Sequence, residues 1–163
     1  MKNVDTIEIL NPANHHVHLR EERMLEFTSF FSRLFSVVVA KANLKNPVVD
    51  GISYNKYYNI DLRDYSMPQV VGGLMMTPGT TAETVEETHC FGANFVANIP
   101  KGVSTNSNGI WLTTLTSIQN VEIYDCMSQL EMPLLLHVQS KFNVNLSKTE
   151  LNCFFESIKM IKY

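Results

Sequence analysis

The chain has few charged residues, few cysteines and no long apolar run, and each shortage excludes a class of protein. Charged residues make up 18% of the 163 residues, against about 25% in typical soluble domains, whereas hydrophobic residues reach 45%. Intrinsic disorder is excluded because it requires low hydrophobicity and high net charge. The net charge of −3 provides no basic excess, so nucleic acid is not an expected partner.

Membrane insertion and secretion are not expected either. The longest apolar runs, such as residues 37–40, fall far short of the roughly 20 residues of a transmembrane helix. Asp5 and Glu8 lie where a signal peptide would need its apolar region. Cys90, Cys126 and Cys153 form no Cys-x-x-Cys pair, which favours reduced, buried thiols. These features predict a cytoplasmic protein.

Short β-rich runs alternate with helical patterns along the chain. Five strands are predicted, at 7–19, 36–40, 69–76, 94–99 and 133–138. The first of them ends in the short β-rich run 16–19. Helices are predicted at 21–35, from the capping box 80–83 to Gly92, at 113–131, and from the capping box 147–150 to about residue 161. The segment 46–65 fits a helix only loosely. This alternation predicts an α/β fold with a parallel sheet, in one domain over residues 1–163.

The helical patterns also predict which side chains face the core. In the first helix the apolar stripe is Met24, Phe27, Phe31, Leu34 and Phe35. In the helix at 113–131 the inward residues are Leu115, Ile118, Met127 and Leu130.

Two histidines two residues apart close the first strand. His16 and His18 point to the same face of a strand, where two neutral imidazoles can share one divalent metal ion such as zinc. The alternative is a solvent-exposed, inert histidine run, which is common for so short a motif.

Three further polar residues fall at or just beyond strand ends. Arg20 could clamp a carboxylate, or could be a solvated residue opening the next helix. His137 ends a buried strand, so its imidazole needs either a hydrogen-bond partner or a metal. Asn43 follows another strand and is either a site residue or a turn residue. In a (β/α) barrel the active site collects at the carboxyl ends of the strands, where His16, His18, Asn43 and His137 would all lie.

The block Asn11–Arg20, with its His-x-His-x-Arg core, resembles the opening of dihydroorotases of the short-chain bacterial type, members of the metal-dependent amidohydrolases. The resemblance continues through Ala42-Asn43-Leu44 and Ser104–Ser107. It extends to Thr116-Ser117-Ile118, Phe155-Glu156-Ser157 and the block Met132–His137, which is similar to the family's fifth strand.

The resemblance implies a cyclic amidohydrolase that interconverts N-carbamoyl-aspartate and dihydroorotate in de novo pyrimidine biosynthesis. It implies two zinc ions bridged by a carbamylated lysine and a hydroxide. His16 and His18 would bind one metal and His137 the other. Arg20 and Asn43 would hold the substrate carboxylate, with His137 also at the substrate.

The chain departs from the family in two places that bear on catalysis. Asn98 stands where the bridging lysine is expected, and Lys101 follows Pro100, outside the predicted strand. The family's catalytic aspartate of strand eight is absent from these 163 residues, so no catalytic residue is assigned.

The length of the chain also indicates an incomplete barrel, since an eight-stranded barrel needs at least about 200 residues. We therefore expect an incomplete TIM-barrel-type repeat of about five strands. The alternative function is a catalytically dead remnant, or pseudoenzyme, acting as an interaction module, with oligomers forming through open barrel edges.

Overall fold

A computed structural model describes residues 8–115 and 117–137. The strands are β1 (Ala13–Val17), β2 (Val37–Ala40), β3 (Gln69–Val71), β4 (Gly73–Met75), β5 (Phe95–Asn98) and β6 (Leu134–Leu136). The helices are α1 (Glu22–Ser32), α2 (Gly51–Tyr54) with its π-helical continuation Asn55–Asp61, α3 (Ala82–Cys90), α4 (Leu112–Leu115) and α5 (Val121–Gln129), which follows a 3₁₀ turn at Ile118–Asn120.

Two three-stranded parallel sheets organise these elements, in the orders β1-β2-β3 and β4-β5-β6. Val37 pairs with Ala13 on one side and Gln69 on the other. In the second sheet Val96 pairs with Leu74 and Leu134. The predicted α/β class with parallel strands is confirmed, and within each sheet the carboxyl ends of the strands point the same way.

The predicted strand at 69–76 is divided by Gly72 into β3 and β4. A Cβ on Gly72 would lie 2.7 Å from Cε1 of the Tyr58 ring, and a Cβ on Gly73 would overlap the Phe95 ring. Both positions therefore require glycine, because aromatic rings from neighbouring elements pack directly against the backbone.

The core lies between the strands and the helices. Leu74 and Val96 of the second sheet are fully buried against Val85 of α3 and Ile123 and Met127 of α5. α3 contacts α5 more extensively than any other helix that the structure describes. This apolar layer fixes the strands and, with them, the loops that follow their carboxyl ends.

α3 begins one residue later than its capping box predicts. The Thr81 hydroxyl accepts from the Thr84 N–H at 3.1 Å, whereas the Thr80 hydroxyl accepts from the Thr77 N–H at 2.8 Å. The helix ends as predicted at Gly92, which has a φ of +106°. The Gly92 N–H donates to the His89 carbonyl and that of Ala93 to Thr88, a pairing that terminates helices and favours glycine.

The predicted apolar stripe of α1 is wrong in its orientation. Phe27 is 60% exposed and Leu34 72% exposed, while Leu25, Ser29 and Ser32 are buried. The two serine hydroxyls donate to carbonyls of the preceding turn, Ser29 to Glu26 at 2.8 Å and Ser32 to Thr28 at 2.9 Å. These small side chains therefore satisfy their own polar groups when buried, and the aromatic rings of the helix lie outside.

The helix predicted at 113–131 is interrupted, since α4 ends at Leu115 and α5 begins at Val121. Asn120 donates from its amide to the Thr114 carbonyl at 2.7 Å and to that of Leu115, which satisfies the end of α4. Ile118, predicted to be inside, is 87% exposed. The loosely predicted segment 46–65 is helical, and a reciprocal Asp50–Ser53 capping box starts it.

Three further expectations concern the cysteines, the last predicted helix and a membrane-spanning helix. Cys90 is exposed and Cys126 half-buried, so the expectation of buried thiols fails for Cys90. The helix predicted at 148–161 and Cys153 lie outside the described residues. No helix within the described ranges has the length and apolarity needed to cross a bilayer.

Candidate active site

His16 and His18 meet at the end of β1, as their spacing predicts. Their Nε2 atoms lie 3.2 Å apart and their ring centroids 5.1 Å apart. Two imidazole nitrogens bound to one tetrahedral zinc, each at roughly 2.0–2.1 Å, lie about 3.3 Å from each other. The pair therefore fits adjacent positions on one metal ion.

Both imidazoles are held in the neutral form that binds metals. Burial, followed by the charges of Lys41 and His137, lowers the pKa of His16. Burial lowers the pKa of His18 to about 4, with further contributions led by Arg20. The Nδ1 atom of His18 is buried and has no hydrogen-bond partner among the described residues. Each neutral ring has one lone pair, and across the 3.2 Å contact the Nε2–H of one ring donates to the Nε2 of the other.

Arg20 follows His18 closely and has a left-handed backbone, with a φ of 66°. Such a conformation costs a non-glycine residue about 1 kcal/mol and persists only where neighbours enforce it. Here Leu19 is fully buried, and the Tyr57 hydroxyl donates to the Arg20 carbonyl at 2.7 Å. These contacts fix the arginine beside His18, whose pKa it lowers.

Asn43 lies just beyond β2 and is 2% exposed. Its Nδ2 donates to the Thr105 carbonyl at 3.2 Å, and its Oδ1 has no partner within the described part of the chain. Glu21 holds the neighbouring loop, because its carboxylate accepts from the backbone N–H groups of Lys45 and Asn46. One amide hydrogen of Asn43 remains for a ligand.

His137 directly follows β6, and its backbone N–H donates to the Asn98 carbonyl at 2.9 Å. It is half-buried and close enough to influence the pKa of both His16 and His18. Across residues 8–115 and 117–137, however, no three His, Cys, Asp or Glu side chains are arranged around one metal position. The histidines thus share one region, but the structure shows a two-donor pair and not a complete metal centre.

Asn98 is fully buried, and both ends of its side chain are occupied. Its Nδ2 donates to the Ile110 carbonyl at 3.0 Å, and its Oδ1 accepts from the Ile110 N–H at 2.9 Å. Gly109 packs against Oδ1, leaving no room for a Cβ. Lys101 is exposed, outside β5 as expected, and its N–H donates to the Gly109 carbonyl. Asn98 therefore anchors the loop after β5.

Lys41 is a residue of this region that sequence reasoning missed. Its backbone N–H donates to the Val17 carbonyl at 2.9 Å, between the two histidines, and its Nζ lies 5.7 Å from the centroid of the Phe95 ring. The side chain is half-buried, and burial lowers its pKa. The available signal was its position, immediately after the buried strand at 36–40.

Comparisons with known proteins identify dihydroorotases as similar to this chain. No protein-family model matches the chain. The dihydroorotase of Helicobacter pylori strain G27 is 27% identical over 135 residues, covering 82% of this chain and 39% of that protein. The dihydroorotase of Buchnera aphidicola strain Tuc7, from Acyrthosiphon pisum, is 29% identical over 143 residues, covering 83% and 39%. The chain spans about two fifths of the length of these relatives.

Solved structures show the same fold. A dihydroorotase from Saccharomyces cerevisiae, crystallised with 5-fluoroorotic acid, has a TM-score of 0.74 at 19% identity. It aligns with 92% of this chain and 43% of its own. The dihydroorotase of Campylobacter jejuni gives 0.72 at 23% identity, with 92% and 44% covered. The described strands and helices thus follow the architecture of these enzymes.

Proposed function

We propose that the site of this chain is built for the interconversion of N-carbamoyl-aspartate and dihydroorotate. This reaction makes or hydrolyses a cyclic amide C–N bond in de novo pyrimidine biosynthesis. The chain is a diverged relative of the dihydroorotases, which supports this proposal. The observation that carries the proposal is the pair of neutral imidazoles, 3.2 Å apart at Nε2 and next to a conformationally fixed arginine.

The metal in this proposal is zinc, held by His16 and His18, with His137 near a second position. Zinc bound there would polarise the amide carbonyl and lower the pKa of a bound water. The 3.2 Å separation and the lowered pKa values of both imidazoles support one metal position. A second position has less support, because the amide of Asn98 is already used by Ile110 and cannot form a carbamate.

Arg20 and Asn43 would orient the substrate through its carboxylate, with His137 as a further substrate-binding residue. The guanidinium of Arg20 offers paired N–H donors that match a carboxylate, and Asn43 offers its remaining amide hydrogen. The enforced backbone of Arg20 supports a positioning role, because strain of this kind clusters at binding sites.

The fold in this proposal is the first five-eighths of an eight-stranded barrel, with β3 and β4 counting as one strand. The sequential strand order within each sheet, β1-β2-β3 and β4-β5-β6, and the coverage of 43% of the yeast enzyme support it. Residues 1–163 would then form one partial domain, located in the cytoplasm.

Zinc titration of the metal-free 163-residue chain, followed by calorimetry, tests the metal site. We expect one zinc per chain in the wild type and at least a tenfold weaker affinity in His18→Ala. His15→Ala is the matched control, since His15 is exposed and next to His16 on the same strand. Unchanged zinc affinity in His18→Ala would contradict the metal assignment.

Hydrolysis of dihydroorotate, with zinc added, tests the reaction itself. We expect slow turnover, because Asn98 cannot form the bridging carbamate. His16→Ala should abolish it, because this variant lacks a ligand of the zinc that would polarise the amide carbonyl. Zinc binding without any turnover would favour the alternative, a catalytically dead binding module.

A further inference from the structure

Lys41 directly follows β2 and lies beside the end of β1 that carries the two histidines. Its N–H is hydrogen-bonded to Val17, so its Cα stands beside the strand segment that joins His16 to His18. Its Nζ reaches the Phe95 ring on β5, two strands beyond β3 in chain order. Phe95 is the first residue of β5 and its ring is buried, so the ammonium group lies over this ring while it still lowers the pKa of both imidazoles.

The charges around the two imidazoles are all basic. Lys41 and His137 act on both rings, and Arg20 acts on His18. Lys41 and Arg20 therefore both lie near His18, and Lys41 also lies near His16.

No carboxylate of the described residues balances this charge. Glu21, adjacent to Arg20, binds the backbone of Lys45 and Asn46. Lys56–Asp61 is the ion pair present in the described ranges. The Phe95 ring, 5.7 Å from Nζ, offsets only part of the solvation that burial removes from this ammonium, so the arrangement favours an incoming anion.

We propose that Lys41 is a substrate-binding residue, which holds a second carboxylate while Arg20 holds the first. This proposal rests on the proposed function and deepens it. N-carbamoyl-aspartate carries two carboxylates, and dihydroorotate carries one. Ring closure joins one carboxylate to the ureido nitrogen, takes up one proton and releases water. Lys41, close to the imidazoles, faces the carboxylate that reacts, and the site therefore prefers the open-chain dianion.

Calorimetric titration of the 163-residue chain with each compound tests this preference. Lys41→Met removes the charge and keeps the side-chain length, Lys41→Arg keeps the charge, and Lys45→Met is the matched control on an exposed lysine of the same loop. We expect Lys41→Met to weaken N-carbamoyl-aspartate binding at least tenfold and dihydroorotate binding less than threefold. Lys41→Arg should stay within threefold of the wild type for both compounds, and Lys45→Met within twofold.

The outcomes separate the two proposals. Equal losses for both compounds, or no loss in Lys41→Met, overturn the role of Lys41 and leave the proposed function intact. If the wild type binds neither compound, the proposed function fails, and succinate, a bare dicarboxylate, decides the role of Lys41. Succinate binding that Lys41→Met weakens tenfold supports the role, and its absence or insensitivity to the substitution refutes it.

Discussion

Replacing Asn98 with alanine should destabilise the fold more than any change at the exposed polar residues of the loop that follows β5. The Asn98 side chain makes two hydrogen bonds to the backbone of Ile110, at 3.0 and 2.9 Å, and is fully buried. Alanine would leave the N–H and the carbonyl of Ile110 without these partners. Each unsatisfied buried group costs about 1–3 kcal/mol, so a loss of about 3 kcal/mol in the free energy of unfolding is expected.

Urea unfolding monitored by circular dichroism measures this loss. With a denaturant slope of about 2 kcal/mol/M, the midpoint should fall by about 1.5 M. Asn108→Ala is the matched control, because Asn108 is exposed in the same loop and should change stability by less than about 0.5 kcal/mol. An Asn98→Ala midpoint equal to that of the control would refute the anchoring role of the side chain.

Three further predictions concern packing, protonation and the surface. Gly73→Ala should cost about 1–3 kcal/mol of stability, measured by urea unfolding, and Phe95→Leu in the same chain should recover part of it, because the new Cβ meets the Phe95 ring. The folded-state pKa of His18, about 4, lies below its ordinary value of 6.5, so the unfolded chain takes up the proton first and stability falls as pH drops through that window. Allowing for solvent screening, unfolding in EDTA should cost about 1 kcal/mol less at pH 5 than at pH 7, a difference that should shrink in His18→Ala. Phe30→Glu should reduce self-association in sedimentation runs without lowering the melting temperature, since Phe30 is 63% exposed; a lower melting temperature would show that the ring packs inward.

Local pattern was sufficient to predict most elements and the proximity of the histidines. Residues 37–40 form a strand because three β-branched valines favour a buried extended backbone. His16 and His18 come together because side chains two apart share a strand face, and His137 follows β6 as predicted. In each case the determining interaction lies within a few residues of sequence.

Other features depend on distant partners and were not predictable. The break at Gly72 reflects the Tyr58 ring, which arrives from a helix earlier in the chain. The orientation of α1 depends on serine hydroxyls that satisfy themselves within the helix, which a hydrophobic pattern does not register. A role for Lys41 was not predictable from sequence, because lysine is ordinarily a solvated residue. Only the register of β2 against β1 places its backbone beside Val17, between the two histidines.

The division at Gly72 has a consequence for how the chain folds. The first sheet is made by residues 13–71 and the second by residues 73–136, so neither sheet needs a strand from the other half of the sequence. The halves are joined by hydrogen bonds such as that from the Met75 N–H to the Val48 carbonyl at 2.7 Å. Each half can therefore nucleate separately, and native-state hydrogen exchange should resolve two cooperative units, with the amides of β5 protected independently of those of β2.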